Sequence, residues 1–360
     1  MTSPPRLRGY VTERKIGRGA SAEVWQARAV ASGARVALKR IPLRDTERLR
    51  RAQSEAALLA AFDHPNLIRV HALIPDGDAA VLVLDLAEGG SLADLLAARG
   101  RLAPGEVITA LAPIAAALQY VHGEGVVHGD VSPANILFTA AGVSLLSDVG
   151  VARLTGDDAD AESTPAYVDP AVAAGCIPGP QSDIFMLGAV ALHALTGAPA
   201  WRGETADAVL AQAASAALDD VAQRLAYADV PAAMAAVVAR ALAIDPQRRG
   251  TAADLALDLA HSGEPVAVEL AAGRLRSDRA AAQPAARHAA SATSVPAPPP
   301  TRMVGPRPRP VIPRPAGRRR FLNASWVHRG AVVAGVAAIA VAAAVLHPWS
   351  RSERPRAPQA

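Results

Sequence analysis

Three polar side chains in the middle of the chain constrain its fold more than any other feature. Asp130 and Asn135 stand five residues apart in "VVHGDVSPANILF", and Asp148 follows in "SDVG". An Asp can accept the proton of an attacking hydroxyl, while Asn and Asp oxygens suit Mg²⁺ held against phosphates. A lone Asp-Val-Gly would indicate only a turn. The three residues in this order instead predict a site for Mg²⁺ and a phosphorylated ligand.

The segment upstream of these residues adds a Gly-rich turn and a lysine. "IGRGASAEVW" contains Gly17 and Gly19, and "VALK" ends a predicted strand at Lys39. A dinucleotide-binding turn would need a helix directly after the glycines, whereas this sequence predicts a β-hairpin there. Lys39 can reach phosphates held beneath the turn, and Glu55 on the next predicted helix is a suitable carboxylate partner.

The simpler interpretation of Lys39 is a surface strand residue, and that of Glu55 is a solvated helix face. For Lys39 this interpretation is weakened by composition. Only Lys15 and Lys39 are lysines, and every other basic residue is an arginine. A lysine retained against that bias suggests a need for a compact point charge, which the planar arginine fork does not supply.

Hydrophobic patterns divide the first 262 residues into two parts. Residues 10–41 predict three short strands, and residues 46–61 predict a helix, after which two more strands follow. The predicted apolar face of that helix consists of Leu49, Ala52, Ala56 and Leu59. From residue 91 onward the pattern is mainly helical. The sequence therefore predicts an α+β fold in which a small β-rich lobe precedes a larger helical lobe.

Charge is distributed unevenly between this part and the rest of the chain. Residues 1–262 carry a net charge of −7 and residues 263–360 a net charge of +11, which give the +4 of the whole chain. The first part therefore lacks the basic balance of a nucleic-acid-binding protein, and no nucleic-acid partner is expected. Cys176 is the one cysteine, so an internal disulfide is excluded and a reducing compartment is expected. The first residues include no apolar stretch, so no secretory signal peptide is expected.

The C-terminal part predicts a linker followed by a membrane span. Residues 263–327 are rich in Pro, Ala and Arg, which is typical of a disordered linker. An apolar run then predicts one transmembrane helix over 328–348. A buried or signal-like hydrophobic helix is the alternative, disfavoured because nothing after the linker offers a packing surface. More arginines precede the run than follow it, which predicts a cytoplasmic location for the first 262 residues and a short extracytoplasmic tail, residues 349–360.

The ordered motifs resemble those of eukaryotic-type (Hanks-type) bacterial Ser/Thr protein kinases, of the membrane-anchored kind found in actinobacteria. The resemblance covers residues 10–262 and implies a two-lobed protein-kinase fold. The N-lobe is expected over 10–87 and the C-lobe over 88–262, after an N-terminal tail of residues 1–9. "LDLAEGGSL" resembles the hinge, and "STPAYVDPA" resembles the substrate-binding end of the activation segment.

The resemblance also implies the roles of individual residues and the ligands ATP and Mg²⁺. Asp130 is the expected catalytic base, Lys39 and Glu55 position ATP, and Asn135 and Asp148 hold Mg²⁺. Asp183 is expected to tie down the catalytic loop. The implied ATP-binding residues are Ile16, Gly17, Gly19, Val24, Ala37 and Lys39, with the hinge backbone of Asp85 and Ala87. The implied partners are protein substrates with Ser or Thr, and the membrane through the C-terminal helix; a homodimer is left open.

Four departures from the family pattern leave two functions open. Gly129 replaces the arginine that normally pairs with a phosphorylated activation loop, and Ser132 replaces the lysine near the transferred phosphate. Val149 replaces a phenylalanine. Ala171 replaces a glutamate, which leaves Arg249 unpaired unless Asp169 reaches it. The chain is therefore expected to be either an active kinase, slowed by Ser132, or an ATP-binding pseudokinase that acts as a membrane-tethered scaffold.

Overall fold

The computed structural model describes residues 4–18, 22–42, 52–53, 56, 59–77, 79–149, 165–218 and 220–270, all within one structural unit. Glu55, Gly19, Leu49, the predicted linker beyond residue 270 and the predicted membrane span lie outside these residues. Within the described part of the chain, no helix combines the length and the apolar character needed to cross a membrane.

The first lobe is one antiparallel sheet of five strands. The strands are β1 (Tyr10–Arg18), β2 (Glu23–Ala29), β3 (Arg35–Pro42), β4 (Val70–Asp76) and β5 (Ala79–Asp85). Their order in the sheet is β1-β2-β3-β5-β4, so β2, β3 and β5 lie inside it. Strands β3 and β5 are rich in Ala, Val, Leu and Ile, as expected for strands covered on two faces. The predicted β-rich lobe is confirmed.

Alternation along β3 separates the two faces of this sheet. Val36 and Leu38 pack on one face, in an apolar cluster that includes Leu7 from the N-terminal segment. Ala37 and Ile41 pack on the other. Because successive side chains of a strand point to opposite faces, Lys39 shares the face of Ala37. The three described residues of the predicted helix face, Ala52, Ala56 and Leu59, are buried against this same face.

The second lobe is helical, as predicted, with one short hairpin. Its helices are α1 (Leu92–Arg99), α2 (Pro104–Gly123), α3 (Pro170–Ala173), α4 (Pro180–Thr196), α5 (Ala206–Ala214), α6 (Val221–Tyr227), α7 (Ala232–Ala241) and α8 (Ala252–His261). The hairpin strands are β6 (Ile136–Phe138) and β7 (Ser144–Leu146). Helix α4 is buried along nearly its whole length and is the centre of the lobe. Gly188 lets it approach α7, since a Cβ there would lie 2.8 Å from the Ala241 Cβ.

The packed chain extends past the predicted domain end at residue 262. After α8, residues 264–270, the tail segment, run along the start of α2. The Val266 amide donates to the Gly105 carbonyl at 3.0 Å, and a Cβ on Gly105 would lie 2.5 Å from a Val266 methyl. Arg99 and the buried Glu106 form a bidentate ion pair, with both N–O distances 2.7 Å. This pair also binds the backbone of Glu269, whose carbonyl accepts from Arg99 and whose amide donates to Glu106.

Candidate active site

Asp183, on the first turn of α4, holds the loop that carries Asp130. Its carboxylate is fully buried and accepts backbone hydrogen bonds from His128 at 2.9 Å and Gly129 at 2.8 Å. It also contacts Nε2 of His122, at the end of α2, at 2.7 Å. The predicted role of Asp183 is confirmed. His122 was not predicted, because its place at the end of an apolar helix gave no sign of a buried carboxylate beside it.

His128 connects this loop to the segment that carries Asp148. Its Nδ1 accepts from the Asp130 amide at 3.2 Å, and its Nε2 lies 2.9 Å from the Ser147 carbonyl. An amide can only donate and a carbonyl can only accept, so the neutral ring carries its proton on Nε2. The ring therefore couples the position of Asp130 to the residue directly before Asp148. This second histidine was also missed, because its partners are backbone groups.

Gly129 occupies a backbone conformation that favours glycine. Its φ is +79°, in the left-handed region, and its amide is fixed there by Asp183. A Cβ at this position would have room, since the nearest atom to it is 3.9 Å away, on Pro178. A clash at the Cβ therefore does not explain the replacement of the family's arginine. The glycine instead removes the strain that a Cβ introduces at positive φ.

Two hydrogen bonds join Asn135 to Asp130 within this loop. Asn135 lies on a short 3₁₀ turn, Pro133–Asn135, and its Nδ2 donates to the Asp130 carbonyl at 2.8 Å and to Asp130 Oδ2 at 2.9 Å. Because the amide nitrogen is directed at Asp130, the amide oxygen is the atom that Asn135 can offer to a cation. The carbonyl of Asn135 accepts from the amide and the hydroxyl of Ser147, which fixes the turn against the segment leading to Asp148.

Asp148 meets Lys39 across the boundary between the lobes. Lys39 Nζ lies 2.7 Å from Asp148 Oδ2, and both side chains are mostly shielded from solvent. Asp148 has φ +62°, which is uncommon for a residue with a side chain and is a form of strain that occurs at functional sites. The structure thus brings together four of the five predicted catalytic and metal-binding residues, Lys39, Asp130, Asn135 and Asp148; the fifth, Glu55, lies outside the described residues.

The residues fit Mg²⁺ in donor chemistry. Asn135 and Asp148 offer oxygen atoms only, and Mg²⁺ uses few protein ligands because it keeps waters and substrate phosphates. Consistent with so sparse a set, the described residues include no cluster of three or more His, Cys, Asp or Glu side chains suited to a metal.

Of the predicted ATP-binding residues, those on β2 and β3 lie on one face of the sheet. Val24 pairs with Lys39 across β2 and β3, and Ala37 shares that face. Gly17 pairs with Val24, and Ile16 is partly exposed beside it. At the hinge, the Asp85 amide already donates to the Arg69 carbonyl at 3.1 Å. Of the Asp85 backbone, only the carbonyl can therefore serve a ligand, while Ala87 lies two residues further along the hinge.

The remaining departures have distinct structural outcomes. Ser132 is 1% exposed, and its hydroxyl has no hydrogen-bond partner within the part of the chain that the structure describes. Val149 packs against the apolar clusters of both lobes. Arg249 is not left unpaired, since it forms two hydrogen bonds with Asp169, at 2.9 and 3.0 Å.

The segment before α3 and helix α4 meet at two side chains with shifted pKa values. The Tyr167 hydroxyl lies 2.6 Å from Nδ1 of His193, on α4, within hydrogen-bond distance. Burial raises the pKa of Tyr167 to about 12. Burial, with the nearby charges of Arg224 and Arg202, lowers the pKa of His193. Both groups are therefore neutral at pH 7, and the contact is an uncharged hydrogen bond.

Comparisons with known proteins agree with this geometry. The family described as "Protein kinase domain" matches residues 10–258. Serine/threonine-protein kinase PknB of Mycolicibacterium smegmatis is 32% identical over 356 residues, which cover 93% of this chain and 54% of that protein. Serine/threonine-protein kinase PkaA of Streptomyces coelicolor is 33% identical over 281 residues, 72% of this chain and 51% of that protein. The chain thus spans about half the length of these curated relatives.

A more distant relative and a solved structure extend the comparison. Serine/threonine-protein kinase PrkC of Bacillus subtilis is 29% identical over 259 residues, 69% of this chain and 40% of that protein. The crystal structure of Rad53 residues 1–466 in complex with AMP-PNP is similar with a TM-score of 0.60 and 25% identity, over 69% of this chain and 64% of that one. The similarity therefore includes a fold that has been solved with an ATP analogue bound.

Proposed function

The chain belongs to the protein kinase family, and from that premise we propose that it is a serine/threonine kinase that transfers the γ-phosphate of ATP to hydroxyls of proteins. One observation carries the proposal. Asp130, Asn135 and Asp148 lie together beside Lys39, with hydrogen bonds of 2.8 and 2.9 Å between the first two and an ion pair of 2.7 Å between the last two. The names of the bacterial relatives support the Ser/Thr preference.

ATP would bind between the lobes in this proposal. Val24 and Ala37 supply the apolar face for adenine, and the Asp85 carbonyl and Ala87 backbone face its polar edge. Lys39 leaves the Asp148 carboxylate and contacts the α- and β-phosphates, where its compact charge is well suited. The nucleotide thus binds on the face of the sheet that carries the side chains of Val24, Ala37 and Lys39.

Asp148 and the amide oxygen of Asn135 would hold Mg²⁺ against the phosphates. When bound, the ion would neutralise negative charge on the phosphates. Asp130 would orient the Ser or Thr hydroxyl of the substrate and accept its proton, as the hydroxyl oxygen attacks the γ-phosphorus and the bond from that phosphorus to the departing ADP breaks. Its direction is fixed by Asn135 on one side and, through the backbone amide, by His128 on the other.

Ser132 supports a second function, an ATP-binding pseudokinase that acts as a scaffold. A buried serine brings no charge to the position where the family has a lysine, so part of the transition-state stabilisation is missing. The two functions differ in one measurement, because both bind Mg·ATP and only the kinase transfers phosphate.

Transfer of labelled phosphate from ATP tests the proposal. The full-length chain is incubated with Mg·ATP, and incorporation into itself and into casein is measured beside Asp130→Asn. We expect incorporation on Ser and Thr that is lost in the variant. Saturable Mg·ATP binding without incorporation would establish the pseudokinase instead, and absence of binding would remove both functions.

We also propose that the chain is anchored in the cell membrane by residues 328–348, with residues 10–262 in the cytoplasm. The apolar run and the arginine asymmetry around it support this arrangement. Membrane fractionation of cells that express the full-length chain is the test. Recovery in the membrane fraction after a carbonate wash, and in the soluble fraction after deletion of 328–348, is expected; recovery of both in the soluble fraction would contradict the anchor.

A further inference from the structure

In the buried ion pair between Asp169 and Arg249, every N–H donor of the arginine side chain has a hydrogen-bond acceptor. Both residues are at most 1% exposed, and the two terminal guanidinium nitrogens of Arg249 each donate to one Asp169 oxygen. The remaining guanidinium donors contact backbone carbonyls of Ala243, Gln181 and Ile244 at 2.7, 2.9 and 3.2 Å. An arginine has five N–H donors, and all five are used. A buried charge is tolerated when it is paired and hydrogen-bonded in this way.

Asp169 ends a short stretch, residues 165–169, which we call the docking segment. The neighbouring contacts of this segment are neutral. Trp201 donates from its indole to the Val168 carbonyl at 2.8 Å and from its amide to the Ala166 carbonyl at 3.3 Å. Tyr167 bonds to His193 at 2.6 Å. The Asp169 contact is the only charged one of these four, and it joins the segment to a residue 80 positions further along the chain.

Ala171, where the family has a glutamate, cannot make this contact. It lies on α3, and its amide donates to the same Asp169 carboxylate at 3.3 Å, so Asp169 also caps the helix. The carboxylate has therefore moved two positions toward the N-terminus, from the helix to the end of the extended segment before it. Aspartate is shorter than glutamate, and from position 169 both of its oxygens reach the Arg249 guanidinium.

We propose that Asp169 is the positioning residue that holds the docking segment for a protein substrate, in the role that position 171 has in the family. This inference rests on the proposed function and deepens it. Asp169 acts through the backbone of residues 165–169 and touches neither ATP nor the phosphates. Its loss should therefore impair transfer to a protein acceptor more than hydrolysis of ATP by water, which needs no docking segment.

Asp169→Asn in the full-length chain is the first test, since the amide keeps the shape and the helix cap but removes the charge. Three measurements are compared with wild type: the Mg·ATP-induced shift in melting temperature, ATP hydrolysis without acceptor, and transfer to casein. We expect transfer to fall by about tenfold, with a higher KM for casein, while hydrolysis changes by less than about threefold. Asp220→Asn, which removes an exposed capping carboxylate from α6, is the matched control and should leave all three unchanged.

Relocation of the carboxylate is the second test. Asp169→Ala with Ala171→Glu places the acid where the family has it, and we expect transfer to return to within about threefold of wild type. Ala171→Glu alone should not raise the rate of transfer to casein, because all N–H donors of the Arg249 side chain are already hydrogen-bonded. Should Asp169→Asn fail to fold, Asp169→Leu with Arg249→Met removes both charges, an exchange that buried pairs often tolerate. That variant should bind Mg·ATP and still transfer poorly to casein.

The outcomes separate this inference from the proposed function. Equal losses of hydrolysis and casein transfer in Asp169→Asn would show a purely structural pair and overturn the inference alone. Full transfer by the Leu/Met variant would do the same. A wild-type chain that binds Mg·ATP but transfers nothing would overturn the proposed kinase function, and this inference with it.

Discussion

At the residue scale, three of the four departures from the family pattern differ in outcome: one relieves strain, one leaves a polar atom without a partner in the described part of the chain, and one is compensated. Gly129 is suited to its left-handed backbone, Ser132 has a buried hydroxyl without a partner in the described part of the chain, and Ala171 is compensated by Asp169. The sequence predicted that these positions matter. It named Asp169 as the alternative partner of Arg249, but it could not decide any of these outcomes, because each depends on a backbone angle or on a partner far along the chain.

Ser132→Lys is expected to raise the rate of phosphate transfer while ATP affinity stays within a few-fold. A charge placed where negative charge develops lowers the barrier by up to a few kcal/mol, and a serine hydroxyl brings no charge. Initial rates with labelled ATP at saturating nucleotide measure the effect. An unchanged rate in a folded, ATP-binding variant would show that another group already supplies the charge.

Ser132→Ala is the matched variant, and it tests the effect of the buried hydroxyl on stability. A buried hydroxyl without a partner costs free energy, so its removal should raise the free energy of unfolding of the nucleotide-free protein by about 1 kcal/mol. A lower stability in denaturant titration would mean that the hydroxyl is satisfied in solution.

Gly129→Ala is expected to lower the free energy of unfolding by about 1–2 kcal/mol, since a Cβ is disfavoured at positive φ. Denaturant titration measures the loss. Gly123→Ala is the control: it ends α2 without positive φ, and an added Cβ there meets nothing within 4 Å. That substitution should be neutral or stabilising. Equal behaviour of the two variants would contradict the strain assigned to Gly129.

At the element scale, the sequence predicted the helices and strands well where their periodicity is local. The β-rich lobe, the helical lobe and the helix face at Ala52, Ala56 and Leu59 follow from patterns that repeat within each element. The tail segment has no such pattern. It packs on α2 because Gly105 has no side chain and because the Arg99–Glu106 pair binds backbone atoms of Glu269. Contacts to backbone atoms do not require particular side chains in the tail segment, so its sequence does not reveal them.

A chain that ends at residue 262 should be less stable than one that ends at residue 270. It loses two hydrogen bonds to the Arg99–Glu106 pair, one to Gly105 and the burial of Val268. Hydrogen bonds and buried methyl groups of this kind suggest a loss of about 2 kcal/mol. Thermal melts of the two truncated chains provide the measurement, and equal melting temperatures would mean that the tail segment contributes nothing.

Glu106 should make the same region sensitive to acid. Burial by itself would raise the pKa of Glu106, but hydrogen bonds from Arg99, Ala103 and Glu269 lower the pKa overall. A lowered folded-state pKa gives stability that is present above the unfolded-state pKa and is lost as the pH falls through the folded-state value. Between pH 6 and pH 3, Glu106→Gln should therefore lose less stability than wild type. A parallel loss in both proteins would assign the acid sensitivity elsewhere.

At the scale of the whole molecule, most of the candidate site was predictable, whereas of its supports the sequence indicated only Asp183 and, as an alternative, Asp169 beside Arg249. The order Lys39, Asp130, Asn135 and Asp148 was visible because each carries a distinctive side chain at a characteristic spacing. His122, His128 and the Asp169–Arg249 pair join elements that the sequence alone does not place side by side. The residues for the chemistry are thus recognisable from short sequence motifs. The contacts that hold them in place join residues that are far apart in the sequence.

Saturating Mg·ATP should raise the melting temperature of the full-length chain, because a ligand that binds only the folded state stabilises it by mass action. Lys39→Ala should abolish most of that increase, since Lys39 is the cation proposed for the phosphates. Lys15→Ala is the matched lysine control, because Lys15 pairs with Glu23 at the edge of the sheet. An unmoved wild-type melting curve would contradict the assignment of the ATP site.

All five N–H donors of the buried Arg249 are hydrogen-bonded, two of them to Asp169. This arrangement restricts the order in which single substitutions at positions 169 and 171 can occur during evolution. An arginine buried without any carboxylate is destabilising by roughly 3–5 kcal/mol, a large part of the stability of a typical domain. An ancestor with glutamate at position 171 that lost this residue first would lose roughly that much stability. The route that avoids the loss passes through a chain that carries acids at both 169 and 171. Related sequences should therefore include this intermediate, together with chains that keep either acid alone, and should lack chains with neither acid that retain Arg249.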